Sequence, residues 1–247
     1  MRRGAALFWL ALGLWAALFA ATARAGDGRR QVAAARQAYA AGEYAGAQQA
    51  FAAAIQAEPA LLTAGLCLDA ATAARLAGEP GRAAVWLYRA TLRAPQDAQV
   101  RKALAAAGLD AGALFAGAWT PLGWLTARQW WAVALAANAV FWLALAGARL
   151  AARPVPPRAA LGAGALVFCC WFGAGWVALV PRVWPRGVVL GETPALSAPE
   201  AGAEAVERYA PGTLARLGPV RDGQALAVAA GGLAGWVPRD AIVTLVP

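Results

Sequence analysis

Two apolar segments constrain this chain more than anything else in it: Trp130 to Leu150 and Ala159 to Val180. Each is close to the ~20 residues that a bilayer core requires. Neither reads as a soluble helix, because neither has a polar face. The apolar fraction of the whole chain is 61% with only 14% charged residues, too greasy for a wholly soluble protein of 247 residues. The link 151–158 carries Arg153 and Arg158 beside Arg149, no acid, and Pro154, Pro156 and Pro157 to stop both helices. The positive-inside bias places this hairpin link in the cytoplasm and both large flanking segments on the other side. Trp119, Trp124, Trp130, Trp131, Trp171, Trp176 and Trp184 gather around the spans, where indoles sit among headgroups, while Trp142 reads as ordinary packing. Asn138 is the one strongly polar side chain deep in the first span; with no ionisable companion it reads as glue between helices rather than a transport site.

The first 25 residues agree with that sidedness. Arg2 and Arg3, the apolar stretch Ala5 to Ala21 and the small residues Ala23 and Ala25 form the three regions of a secretory signal peptide, 1–25. An uncleaved anchor is the rival reading and gives the same orientation.

The net charge of +9 is a topology signal and not the footprint of a nucleic acid. Residues 1–25 carry +3, residues 26–110 hold nine basic against seven acidic groups, residues 111–186 carry +6, and the remainder is −2. Neither soluble segment has the basic excess that DNA or RNA binding needs. Cys67, Cys169 and Cys170 cannot build a disulfide framework, two being adjacent in an apolar run. The chain has no histidine, which removes the commonest general base and metal ligand. No Ser or Cys with a base, metal-ligand spacing or phosphate loop stands out, and Glu204 and Glu207 read as a solvated turn. The expectation is a non-enzyme with no cofactor and no metal.

Residues 26–110 repeat. Gly42, Ala47, Phe51, Ala54 and Pro59 return 36 residues later as Gly78, Ala83, Leu87, Ala90 and Pro95. The glycines fit a turn between two helices, the alanines let helices approach, and the prolines end the second helix. Asp97 is placed to cap a last helix over Ala98 to Ala107. The spacing resembles the tetratricopeptide repeat, with Tyr44 after Gly42-Glu43 and Glu58-Pro59 at the end; the second unit departs by Pro80 and by a two-residue insertion. The resemblance implies a concave groove for partner peptides, and on its first helices Arg29, Arg36, Tyr39, Arg75 and then Lys102 point the same way. A basic groove favours an acidic peptide; a merely solvated cationic face is the plain alternative. Cys67 is expected to pack inside the second unit.

After a linker at 111–129, the two spans and their link, residues 187–247 change to short β-branched runs broken by Pro211-Gly212, Asp222-Gly223 and Gly231-Gly232, the pattern of a small barrel. Gly212-Thr213-Leu214, the Arg221-Asp222-Gly223 turn and Gly235-Trp236-Val237 resemble bacterial SH3-like domains. That resemblance makes Trp236 a core or groove aromatic and Gly235 a point of close backbone passage.

The expected fold class is therefore mainly α: tetratricopeptide-type hairpins, a two-helix transmembrane hairpin and a C-terminal all-β SH3-like barrel. This ordered set, with the stretch Gly78 to Leu104 and the ending GWVPRDAIVTLV, resembles the BatE proteins of the Bacteroides aerotolerance operon. What the resemblance implies is a scaffold in the bacterial inner membrane, with both folded domains periplasmic, working with von Willebrand A-domain proteins encoded beside a MoxR-type ATPase. The alternative is a membrane module that binds peptidoglycan through the SH3-like domain.

Overall fold

A computed structural model describes residues 28–110, 125–150, 155–183, 185–200, 202–229, 232 and 234–245. The signal segment 1–25, Trp119, Trp124, Arg153, Pro154 and Trp184 lie outside the described residues.

The first region is helical: α1 (28–40), α2 (Tyr44–Ala57), α3 (Ala64–Leu76), α4 (Pro80–Arg93) and α5 (Ala98–Ala106). Three of these helices end in the same way. Gly42, Gly78 and Gly108 adopt φ of +81°, +77° and +69°, a left-handed conformation that costs glycine nothing. In each case the next residue donates its N–H five residues back: Glu43 to Ala38, Glu79 to Ala74 and Leu109 to Leu104. This is the Schellman closure, which satisfies otherwise orphaned carbonyls. Starts are equally local. Thr63 Oγ1 accepts from the Leu66 N–H at 3.3 Å, Asp97 accepts from the Gln99 N–H at 2.7 Å, and Pro80 opens α4, where its missing N–H is no loss. Helices α2 and α4 both have 14 residues and begin 36 apart, at Tyr44 and Pro80. Helix α5, at Ala98, begins only 34 residues after α3, at Ala64. The two extra residues thus lie in the 3-10 turn Pro59–Leu61 that ends the first unit, not in the second unit as the repeat spacing predicted. Buried Ala47, Ala70, Ala74, Ala83 and Ala90 let the helices approach around Phe51, Cys67, Leu87, Val100 and Leu104.

Helices α6 (Ala127–Leu150) and α7 (Pro157–Val183) pack on one another. Over 128–150 and 157–179 they are long and apolar enough to cross a membrane, and an apolar 18-residue portion of each is only 6% and 11% buried. Core helices of soluble proteins are mostly buried. The large apolar side chains Val140, Leu143, Leu161, Leu166 and Phe168 all stand exposed. The seam between the two uses small residues: Ala134 and Ala174 are fully buried, and Trp131 meets Trp171 edge-on with ring centroids 5.4 Å apart. Asn138 is half-buried, one helical turn from Ala134.

The C-terminal region is a seven-stranded antiparallel sheet: β1 (Arg186–Val189), β2 (Thr193–Leu196), β3 (Ala205–Tyr209), β4 (Leu214–Arg221), β5 (Gln224–Ala229), β6 (Ala234–Pro238) and β7 (Ile242–Thr244). Its order is β3-β2-β6-β5-β4-β1-β7. The sheet curls into half a barrel, with β3 and β7 at its edges, where the sequence pattern predicted a barrel. Asp222 and Gly223, at φ 48° and 75°, make the two-residue turn between β4 and β5. Inside the curl Val189, Ala195, Tyr209, Ala215, Leu217, Ala227, Val237 and Ile242 form one core, and the Tyr209 hydroxyl donates to the Ala227 carbonyl at 3.2 Å.

The fold as a whole is helices plus a curled antiparallel sheet, and the two regions are not independent flanks. Val188, Leu214 and Leu245, on the outside of the curl, belong to the core of the helical region. Gly81 of α4 lies on the backbone of Leu190, Gly212 lies on Ala84, and Arg89 donates to the Thr244 carbonyl at 3.2 Å. The apolar hairpin therefore leaves one folded body and returns to it.

Candidate functional site

The helical region carries a groove of about 290 Å³ lined by Arg36, Tyr39, Phe51, Asp69 and Thr72. Arg36 and Tyr39 are three residues apart on α1, so they share a face. Asp69 and Thr72 repeat that relation on α3. Phe51 closes the floor and is 1% exposed. The Thr72 hydroxyl donates to the Leu68 carbonyl of its own helix at 2.9 Å. Arg36 Nη2 approaches Asp69 Oδ2 at 3.7 Å, both well exposed. The groove is thus mixed in charge, with an aromatic wall where Tyr39 meets Tyr44 edge-on at 5.4 Å.

Of the residues named from sequence, Arg36 and Tyr39 line the groove. Arg29, Arg75 and Lys102 are exposed on α1, α3 and α5, and none is among the lining residues. Asp69 and Thr72 were not singled out. The repeat itself could have found Thr72, which stands 36 residues after Arg36.

A second candidate surface lies on the sheet. Gly235 faces inward, where a Cβ would sit 2.5 Å from that of Ala195. Trp236 faces the other way. It is half-buried, outside both buried clusters, and in register with Leu226 on β5 and Leu196 on β2. These three make an apolar row across the outer face of the half-barrel.

Cys67 is fully buried, and burial pushes its thiol up to about 11 despite the cations of Arg89 and Arg93, which pull the other way. No basic neighbour was evident near Cys67 in sequence; both come from α4 in space. Their field loses to desolvation, so the thiol stays protonated at neutral pH. Among the described residues no group of three or more His, Cys, Asp and Glu could hold a metal ion. Comparison with family models, with curated proteins and with solved structures found no match.

Proposed function

We propose that this chain is a non-enzymatic interaction scaffold of the BatE type, anchored in the bacterial inner membrane by α6 and α7. Its helical units are of the tetratricopeptide kind and its sheet is SH3-like; both are periplasmic, and the partners are von Willebrand A-domain proteins. The observation that carries the reading is the groove between α1 and α3, which offers a planar cation, a carboxylate and aromatic rings, the groups that grip a peptide, and no acid–base pair for chemistry. The contact of α4 with β1 supports a same-side arrangement, since both ends of a two-span hairpin must then emerge on one face. Arg149 and Arg158, exposed at the opposite end of the hairpin, support a cytoplasmic link. The test is co-purification of the full chain from its own membranes with the A-domain proteins. Arg36→Glu with Tyr39→Ala, both lining the groove, is expected to abolish their recovery, and unchanged recovery would sink the groove as the site.

A cell-wall reading draws on one observation, the outward row of Trp236, Leu226 and Leu196. Sedimentation of the detergent-solubilised full chain with purified sacculi tests it: retention lost in Trp236→Ala supports the wall, and no retention removes it. The sheet should not be tested alone, because Val188, Leu214 and Leu245 would be stripped of their cover.

A further inference from the structure

Asn138 stands near the middle of the first long apolar helix. The apolar stretch of α6 runs from Arg128 to Leu150, so at 1.5 Å per residue Asn138 lies about 15 Å from one end and about 18 Å from the other. A long Lys or Arg side chain near a helix end can carry its head out to the boundary. Asparagine, at mid-depth and short, cannot.

The sequence predicts that this amide holds α6 to another helix, and α7 does not supply the partner. Among the described residues Asn138 makes no hydrogen bond. Helix α7 has little to offer: between Ala159 and Leu179 its only polar side-chain groups are the thiols of Cys169 and Cys170 and the indole N–H groups of Trp171 and Trp176. Nor is either atom of the amide sealed in among apolar neighbours. Asn138 sits at the border of the seam between the two helices. On one side of it Ala134 is fully buried and Phe141 half-buried. On the other side Leu135 and Trp142, three residues before and four after, are 55% and 61% exposed.

Where water is absent, an amide needs both its donor and its acceptor met. Donation to the Ala134 carbonyl, one turn back on its own helix, would leave the amide oxygen unmet. Two asparagine amides side by side satisfy each other reciprocally, each donating to the other's oxygen. Depth says where the second amide comes from. Two copies inserted alike and related by a two-fold axis along the bilayer normal place each residue of the contact opposite itself at its own depth. The polar group at mid-depth therefore meets the same group, whereas an unrelated helix would need a polar residue of its own at that level.

We propose that the chain self-associates in the bilayer through the open face of α6, the Asn138 amides of two copies hydrogen-bonded to each other and Leu135 and Trp142 packed around the pair. The interface rests on the membrane-spanning reading of α6 and α7.

Energy transfer between donor-labelled and acceptor-labelled full-length copies tests it, in vesicles of phosphatidylcholine and phosphatidylglycerol diluted stepwise with lipid. A dimer that dissociates on dilution is expected. Asn138→Leu, close in size, should weaken association by about tenfold, the scale of interhelical hydrogen bonds in lipid. Asn138→Gln keeps donor and acceptor and should restore most of it. Val140→Ala, two residues on and so on the far side of the helix, should leave it unchanged. Monomers at every dilution, a dimer untouched by Asn138→Leu, or an equal loss in Val140→Ala overturns the interface. In the chain's own membranes, Leu135→Cys in a Cys169→Ala, Cys170→Ala background should form a copy-to-copy disulfide on oxidation with copper phenanthroline. A product that runs only to a different protein gives the face to that protein and overturns self-association. Alkaline carbonate extraction keeps the two readings apart: release of the chain from membranes ends the spanning reading and the interface together, whereas a retained monomer ends the interface alone.

Discussion

Gly81, in the first turn of α4, lies directly against the carbonyl oxygen of Leu190, with no room for a Cβ between them. Helix propensity alone favours alanine over glycine at such a position by about 1 kcal/mol. Here the obstacle is backbone held by β1, which cannot rotate aside, so overpacking of about 1–3 kcal/mol decides the sign. Gly81→Ala is expected to lower the melting temperature and to expose the join between helices and sheet to protease. Gly46, exposed on α2 with nothing within 4 Å of its missing Cβ, is the control. Gly46→Ala should raise stability by roughly 0.5–1 kcal/mol. If both substitutions move the melting temperature the same way, the contact of α4 with Leu190 does not hold the two regions together.

Cys67 gives the fold a dependence on high pH. Burial raises its pKa from the ordinary 9.0 to about 11. Between those values the folded chain keeps a proton that the unfolded chain has released, so stability falls as pH rises through the window. The full effect of a two-unit rise is about 2–3 kcal/mol. Tyr88 and Tyr209 are raised by burial as well and add a loss of the same sign above pH 10. Denaturation of Cys67→Ala against the parent at pH 8.5 to 10.5 isolates the thiol: the variant should lose stability with pH less steeply. In a Cys169→Ala, Cys170→Ala background, the native thiol should also resist maleimide until the chain is unfolded. Equal slopes and ready labelling would show an exposed Cys67.

The coarse order of helices, two long apolar helices and a terminal sheet was legible because each rests on local chemistry. Gly42 and Gly78 stop helices wherever they occur, the apolar runs announce themselves by length, and Asp222-Gly223 makes its turn from two residues. What was not legible is the contact between regions. Gly81 reads in sequence as a weak helix former, and nothing local says that Leu190, more than a hundred residues on and beyond two apolar helices, will lie on it. Asp69 escaped for a related reason. A carboxylate on a helix reads as solvated, and only the approach of α1 to α3 brings it within 3.7 Å of Arg36. The two-residue insertion was misplaced because a period counts residues without saying in which link the excess is spent, and Pro59 had marked only an end.

Gly235 and Trp236 are neighbours whose substitutions should behave oppositely, because successive strand residues face opposite sides. A side chain at Gly235 would meet the Cβ of Ala195 at 2.5 Å and its backbone at 3.2 Å, where β6 crosses to β2. Gly235→Val is expected to cost about 1–3 kcal/mol and to loosen β2 and β3 from the sheet. Trp236→Ala removes far more atoms, yet from the half-exposed outer row, so its cost should fall well below the ~3–5 kcal/mol of a buried tryptophan. Hydrogen exchange separates the two: Gly235→Val should release the β2 and β3 amides, and Trp236→Ala should leave them protected. Loss of that protection in Trp236→Ala would place the indole in the core and end any role for it as a surface on which ligands dock.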